Sequence, residues 1–325
     1  MNLRVGILST AHMHVGSYVH ALGEHDQSEI IGFFDEDDAR ASAFATRTGL
    51  TRYATVEELL GVVDAVVITA ENARHAELSI AASKAGKHVL CEKPLATSKA
   101  DGEAMVAAAE AAGKVLMTAF PCRFHPSYAR LKERVRAGDI GKIEAICATN
   151  RGTSPGGWFV DGALAGGGAM IDHTVHVADL VRDLLGEEPA TVHATTNNIM
   201  HGRDTEDCAM LTMTFPSGAF VTLDSSWSRP GNFKTWGDVT MNVVGEKGVI
   251  ELDMFGQALD VYADTARGLG LSGFGSDADA LMVDSFVRAC LDGAPVVTTG
   301  YDGLRAMEVA LAAYESVRQV QPATV

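Results

Sequence analysis

The sequence predicts an α/β chain in two parts: a doubly wound parallel sheet with helices on both faces, then an α+β half built on a large, mainly antiparallel open sheet. Three observations carry this. Short apolar runs alternate with helical patterns from Leu3 to Ala119, as βαβ crossovers require. From Lys142 onward, strand patterns follow one another with turns between them. Between these stretches a helical pattern opens on Gly166-Gly167-Gly168. The 325 residues suit about two domains, which the change of pattern places at 1–122 and 123–325.

In the first half, Leu3 to Leu8, Ile30 to Phe34, Val62 to Ile68, His88 to Cys91 and Val115 to Ala119 read as buried strands. Helices are expected over Met13 to Gly23, Ala39 to Thr48, Ala73 to Ala85 and Asp101 to Ala112, the last three stopped by Gly49, Gly86 and Gly113. Ligands of such sheets sit beyond the carboxyl ends of the strands. Those ends carry Ser9, Thr10, Ala11, His12 and His14, then Asp35, then Thr69 and Asn72, then Glu92-Lys93-Pro94. Asp35 follows the second strand where a carboxylate can take both ribose hydroxyls of an adenosine and repel a 2′-phosphate, which favours NAD over NADP. The alternative is a solvated acid opening the run Asp35-Glu36-Asp37-Asp38. The first turn lacks the GxGxxG of a dinucleotide fold, carrying Ser9, Ala11 and His14 in its place. Small residues at the first two positions still let a helix N-terminus approach a pyrophosphate, with Ser9 or Thr10 adding a hydroxyl.

In the second half, a helix over Ser127 to Arg136 precedes a strand over Ile143 to Thr149. The glycine helix starts at about Gly168, and three glycines allow close approach to a ligand or another segment. On it Asp172 and His176 are i,i+4 neighbours and His173 lies within about 100° of both, so a carboxylate and two imidazoles share one arc. Alone, this pattern also suits a helix whose Asp and His face solvent. Strands follow over Thr191 to Ile199, Cys208 to Phe215, Ala219 to Trp227, Val239 to Val244, Gly248 to Leu252 and Leu259 to Tyr262, as a meander of antiparallel hairpins. One sheet face is expected on the glycine helix and the other at an association surface. Gly268 to Ser276 reads as a glycine-rich loop or linker, and Val283 to Leu291 and Leu304 to Val317 as closing helices, the second packing back on the first domain.

A formal charge of -16 and a pI near 5.0 argue against a nucleic-acid or anionic-membrane partner. Five scattered cysteines without a CxxC pair suit a reducing cytoplasm, and no apolar stretch approaches the ~20 residues of a membrane helix. No dedicated metal-ligand cluster is visible, and no metal is expected.

Several motifs now coincide: Ala85-Gly86-Lys87-His88-Val89-Leu90-Cys91-Glu92-Lys93-Pro94-Leu95, Arg123-Phe124 with Pro126, Gly138-Asp139-Ile140-Gly141, Trp158, GGGxxxDxxxH, Gly245-Glu246-Lys247-Gly248 and Asp302-Gly303-Leu304-Arg305-Ala306. Nearly end to end, the chain resembles the Gfo/Idh/MocA oxidoreductases, the glucose–fructose oxidoreductase and inositol dehydrogenase family. The resemblance implies a Rossmann first domain and NAD(P)-dependent oxidation or reduction of a secondary alcohol or ketone on a sugar, inositol or similar polyol. It makes Lys93 the active-site lysine, Asp172 the substrate-binding aspartate and His176 the catalytic histidine. A neutral imidazole with a pKa near about 6.5 suits removal of an alcohol proton, and an ammonium suits a developing alkoxide. Arg123, Arg151, Trp158 and His173 become candidates for the polyol pocket, and a homodimer or homotetramer through the second sheet is expected. The chain departs from the family at Ser9, Ala11 and His14, and at His173-Thr174, where an aliphatic residue and glycine are usual. Three rival readings remain: a metal held by Asp172, His173 and His176 with a loop histidine; a redox-neutral, NAD-dependent sugar lyase or glycosidase working through a transient keto-sugar; and a non-catalytic nucleotide or sugar sensor.

Overall fold

A computed structural model describes the chain except Met1, Lys234, Gln257 and residues 263–268 and 274–276; for 258–262 and 269–273 it describes the backbone. Two compact units divide it: Met1–Pro121, Ala163–Gly166 and Asp279–Met307 form the first, and Cys122–Gly162, Gly167–Ala278 and Glu308–Val325 the second.

The first unit is a five-stranded parallel sheet. Strands β1 (Leu3–Leu8), β2 (Ser28–Phe34), β3 (Ala65–Ile68), β4 (His88–Cys91) and β5 (Leu116–Thr118) lie in the order β2-β1-β3-β4-β5. Every residue of β3 is buried, as a strand covered by helices on both faces demands. Helices α1 (Val15–Glu24), α2 (Asp38–Thr48), α3 (Val56–Leu60), α4 (His75–Lys84) and α5 (Lys99–Ala112) connect the strands. Strand order reverses between β1 and β3, which sets a crevice at their carboxyl ends. Helix α3 was not anticipated, although Thr55-Val56-Glu57-Glu58 is a start signal: Thr55 accepts from Glu58 N, and Glu58 reaches back to Ala54 N. The third strand begins at Ala65 rather than Val62, because Val62 still bonds within the turn that closes α3.

The second unit contains α6 (Pro126–Arg136), β6 (Ile143–Gly152), α8 (Ala169–Leu185), and strands β7 (Thr191–Asn197), β8 (Cys208–Thr214), β9 (Phe220–Asp224), β10 (Gly237–Gly245) and β11 (Gly248–Asp253); the short α7 (Gly162–Ala165) belongs, but for Gly162, to the first. Beyond them in the chain come β12 (Ala258–Tyr262) and β13 (Leu269–Gly273), then α9 (Ala278–Asp292), which but for Ala278 belongs to the first unit, α10 (Gly300–Gln319), of which the first unit takes the residues up to Met307, and β14 (Ala323–Thr324) in the second. The large sheet runs β11-β10-β6-β9-β8-β7-β14. It is not a plain meander: β6 and β9 pair in parallel, because β6 enters before α8 and a hairpin rule governs only consecutive strands. The glycine-rich stretch expected to be a loop contains β13, which pairs antiparallel with β12; Gly268 and residues 274–276 lie outside the described residues. Among the described residues no helix is long and apolar enough to cross a membrane.

Helix α8 packs against β6 and β8 and is buried along almost its whole length. On the opposite sheet face Met210, Phe220, Val244 and Val249 are exposed among threonines. The glycines at the start of α8 are steric requirements. A Cβ on Gly167 would stand 1.9 Å from the Tyr314 hydroxyl, and one on Gly168 would stand 2.1 Å from the Glu206 carbonyl oxygen. What approaches the glycines is thus a protein segment, whose Glu206 carboxylate accepts from Gly168 N and Met170 N at 2.9 Å each and from Tyr314 at 2.7 Å. A carboxylate there also complements the helix dipole. Gly168→Ala is expected to lower unfolding stability by about 2–3 kcal/mol, because a backbone atom must move. Gly162→Ala, whose Cβ meets nothing nearer than 3.6 Å, should stay within about 0.5 kcal/mol of the parent. Urea unfolding of both variants measures this.

Candidate functional site

In the first unit the carboxyl ends of β1 to β4 gather most residues assigned to the cofactor. Ser9 leaves β1 at a φ of 66°, the left-handed region in which a fingerprint glycine is at ease. The Ser9–His14 turn that follows is tied on three sides. Thr69 donates its hydroxyl to Ser9 O at 2.6 Å, and its carbonyl accepts from His12 N at 2.9 Å. Thr10 gives Asp35 two bonds, from its amide at 2.7 Å and its hydroxyl at 2.6 Å. Ala11 N reaches Ser9 Oγ at 3.4 Å. Helix α1 then begins with no side-chain cap from His14, whose own amide donates to His12 Nδ1 at 3.2 Å as Val15 N does to His12 O.

Asp35 is fully buried and closed over by its own neighbours. Besides Thr10 it accepts from Asp37 N at 2.9 Å and from Arg40 Nε at 2.8 Å and Nη2 at 2.9 Å. Burial opposes its charge, but the Arg40 and Thr10 hydrogen bonds hold its pKa below the ordinary value. Arg40 also reaches Glu71 and Glu36, each at 3.1 Å; Arg74 shares Glu36, and Arg52 donates to Asp35 O at 3.1 Å. Asn72 donates to Ala165 O at 2.8 Å, which fixes the loop after β3.

The third tie is Glu92. It has no solvent exposure, and its Oε1 accepts from Tyr18 at 2.5 Å and lies 2.9 Å from His14 Nδ1 and 3.5 Å from His12 Nδ1. Its Oε2 accepts from Lys93 N at 3.0 Å. Burial works against the carboxylate, yet the two histidines and Lys93 hold its pKa well below the usual range. Burial likewise opposes a charged His14, and Glu92 more than compensates, raising its pKa. Lys93 itself is buried at the site's edge.

In the second unit α8 carries Asp172 and His173, both buried, and His176, the one residue between Ala169 and Arg182 that keeps appreciable exposure. Asp172 accepts from the buried Trp227 indole at 3.1 Å, and its Oδ2 lies 3.3 Å from His173 Nε2. His173 fits because Gly152 has no side chain: a Cβ there would stand 2.6 Å from the imidazole. The two arginines named as candidates for a polyol pocket pair with aspartates. Arg123 binds Asp179 and, at 3.0 Å, Asp183; Arg151 binds Asp238 at 3.0 Å, which Arg229 also contacts. Trp158 stacks on Phe159 with ring centres 3.8 Å apart. Among the described residues, the three metal-type ligands that converge are His12, His14 and Glu92, not the trio on α8.

Sequence reasoning missed Tyr18, Arg40, Glu71, Glu206 and Trp227. Tyr18 was findable at i,i+4 from His14 on α1, and Arg40 as the cation closing an acidic run. Trp227 and Glu206 gave no local signal, since their partners are brought to them by the fold.

The comparisons agree with this architecture. Residues 3–120 match the oxidoreductase family with an NAD-binding Rossmann fold, GFO_IDH_MocA, and residues 128–251 match the GFO/IDH/MocA C-terminal domain. The D-xylose 1-dehydrogenase (NADP(+)) 2 of Haloferax volcanii is 32% identical over 324 residues, 96% of either chain. The 1,5-anhydro-D-fructose reductase of Ensifer adhaerens is 35% identical over 207 residues, 62% of either chain. Among solved structures, GenD2 from gentamicin A biosynthesis, in complex with NAD, superimposes with a TM-score of 0.90 at 27% identity, over 100% of this chain and 96% of that one. The family match over the first unit defines an oxidoreductase with an NAD-binding Rossmann fold. The chain belongs to the Gfo/Idh/MocA family.

A raised His14 pKa means that its pairing adds stability below the ordinary value of 6.5 and loses it as pH climbs through the raised one. A depressed Glu92 pKa adds stability above 4.5 and loses it as pH falls through the lowered value. Both contributions are therefore complete between about pH 4.5 and 6.5. Glu92→Gln is expected to lower the His14 pKa and to remove the stability lost on going alkaline, as read from histidine proton titration by NMR and from unfolding at pH 6 and 9.

Proposed function

We propose that the protein is an NAD-dependent dehydrogenase of a secondary alcohol or ketone on a sugar or related polyol. The observation that carries this is the turn after β1, where a left-handed Ser9 and the N-terminus of α1 stand at the point of strand reversal. A pyrophosphate suits such a helix end, so the residues present fit the cofactor. The names of the xylose dehydrogenase and the anhydrofructose reductase support a sugar as substrate. The buried Asp35 carboxylate itself favours NAD, since it can take ribose hydroxyls and would repel a 2′-phosphate in their place. Ribose hydroxyls would take the carboxylate oxygens that Arg40 now holds, so Arg40 has to yield to them.

When bound, NAD supplies the hydride acceptor. The remaining work falls to the chain. His176, the one half-buried residue between Ala169 and Arg182, takes the hydroxyl proton, and Lys93 stabilises the alkoxide that develops. Asp172 accepts from a neighbouring hydroxyl, oriented by the Trp227 indole. Glu92 holds the backbone of Lys93 in place. Association through the exposed face of the large sheet completes the reading.

Purified protein should bind NADH at least tenfold more tightly than NADPH in a fluorescence titration (~1.4 kcal/mol). A panel of sugars and inositols with NAD should raise absorbance at 340 nm. His176→Ala and Lys93→Met should each lower kcat/KM by about 10²–10⁴, with NADH binding retained in His176→Ala. Absence of NADH binding, or full activity in both variants, would overturn the reading.

A further inference from the structure

We propose that His12, His14 and Glu92 form a binding site for a divalent cation of the zinc class, built into the turn after β1. One ligand atom from each lies within 4.8 Å of the others. Glu92 Oε1 stands 2.9 Å from His14 Nδ1 and 3.5 Å from His12 Nδ1. Tetrahedral zinc with bonds of about 2.0–2.1 Å spaces its donors about 3.3 Å apart, so the two pairs with Glu92 need shifts of only tenths of an ångström, while the two imidazole donors, within 4.8 Å of each other, close together on the ion. Two imidazoles and one carboxylate select zinc, cobalt or nickel over magnesium and calcium, which prefer oxygen donors. Three protein ligands leave a fourth tetrahedral position for water.

The surroundings are those of a metal site rather than of a single ion pair. The carboxylate is oriented by two outer donors, the Tyr18 hydroxyl at 2.5 Å on Oε1 and Lys93 N at 3.0 Å on Oε2. The His12 and His14 rings meet edge to face, 4.4 Å between centroids. Glu92 and His12 are buried, while the His14 side chain is 36% exposed and gives a cation its way in. Binding is an exchange. The proton between His14 Nδ1 and Glu92 leaves to solvent, and His12 Nδ1 gives up the His14 amide that it accepts from at 3.2 Å. All the ligands belong to the first unit. The site therefore stands or falls independently of the proposed dehydrogenase activity, and its test uses no nucleotide.

The test is a zinc titration of the metal-stripped full chain against a chromophoric chelator, repeated with cobalt while recording visible absorption. One equivalent should bind, with the ligand-field bands of tetrahedral cobalt. His14→Ala should abolish that equivalent, and Tyr18→Phe should weaken it about 10- to 100-fold. His20→Ala and His201→Ala, at exposed positions, should leave it unchanged. Circular dichroism establishes that each variant is folded; should His14→Ala unfold, Tyr18→Phe decides. Failure to bind one equivalent, or binding that persists at equal strength in the folded variants, would overturn the proposal, the latter as an adventitious surface site.

Discussion

Glu92 is a carboxylate without solvent contact at the end of β4, and the architecture of the first turn depends on keeping it charged there. A buried anion of this kind is tolerated only when its lone pairs are filled, and removing one partner of such a cluster typically costs about 3–5 kcal/mol. Its partners come from three places: Tyr18 from α1, His12 and His14 from the turn after β1, and the backbone of its own neighbour Lys93. One residue thus fastens the turn after β1 to the segment that carries Lys93. In an ordinary fingerprint, glycines let the turn collapse onto its ligand. Here the turn is braced by side chains, with Thr69, Asp35 and Glu92 each holding one point of it.

That bracing accounts for the departure from the glycine fingerprint. Ser9 adopts a glycine-like backbone because Thr69 binds its carbonyl and Phe34 O accepts its amide. His14 replaces a glycine at the helix start, but its imidazole is drawn toward Glu92. The second unit solves a similar problem in the opposite way. There the glycines are retained, and the Glu206 loop with Tyr314 is packed directly onto them, capping α8 and fixing the helix that bears Asp172 and His176.

Much of this was legible in the sequence, for identifiable reasons. The strands of the first sheet announce themselves as uninterrupted apolar runs, and α8 begins within a residue of where the glycines and the apolar spacing put it. Ser9, Thr10, His12, His14, Asp35, Thr69 and Glu92 are brought together because strand ends are neighbours in any parallel sheet. What was hidden is what depends on pairing over distance. The parallel alignment of β6 with β9, the closure of Asp35 by Arg40 and the indole of Trp227 on Asp172 join residues whose local patterns are silent about each other. Arg123 and Arg151 are likewise tied to aspartates that their local sequence does not announce.

The central claim is that the charge on Glu92 holds the substituted turn in the shape that receives the dinucleotide. The most direct test is the NADH dissociation constant of folded Glu92→Gln beside that of the parent protein, at pH 6. Loss of a charge-assisted bond to the turn, about 1.5–3 kcal/mol, predicts binding weaker by roughly 10- to 100-fold. Equal affinity in the two proteins would contradict the account, leaving the turn's shape to its backbone alone.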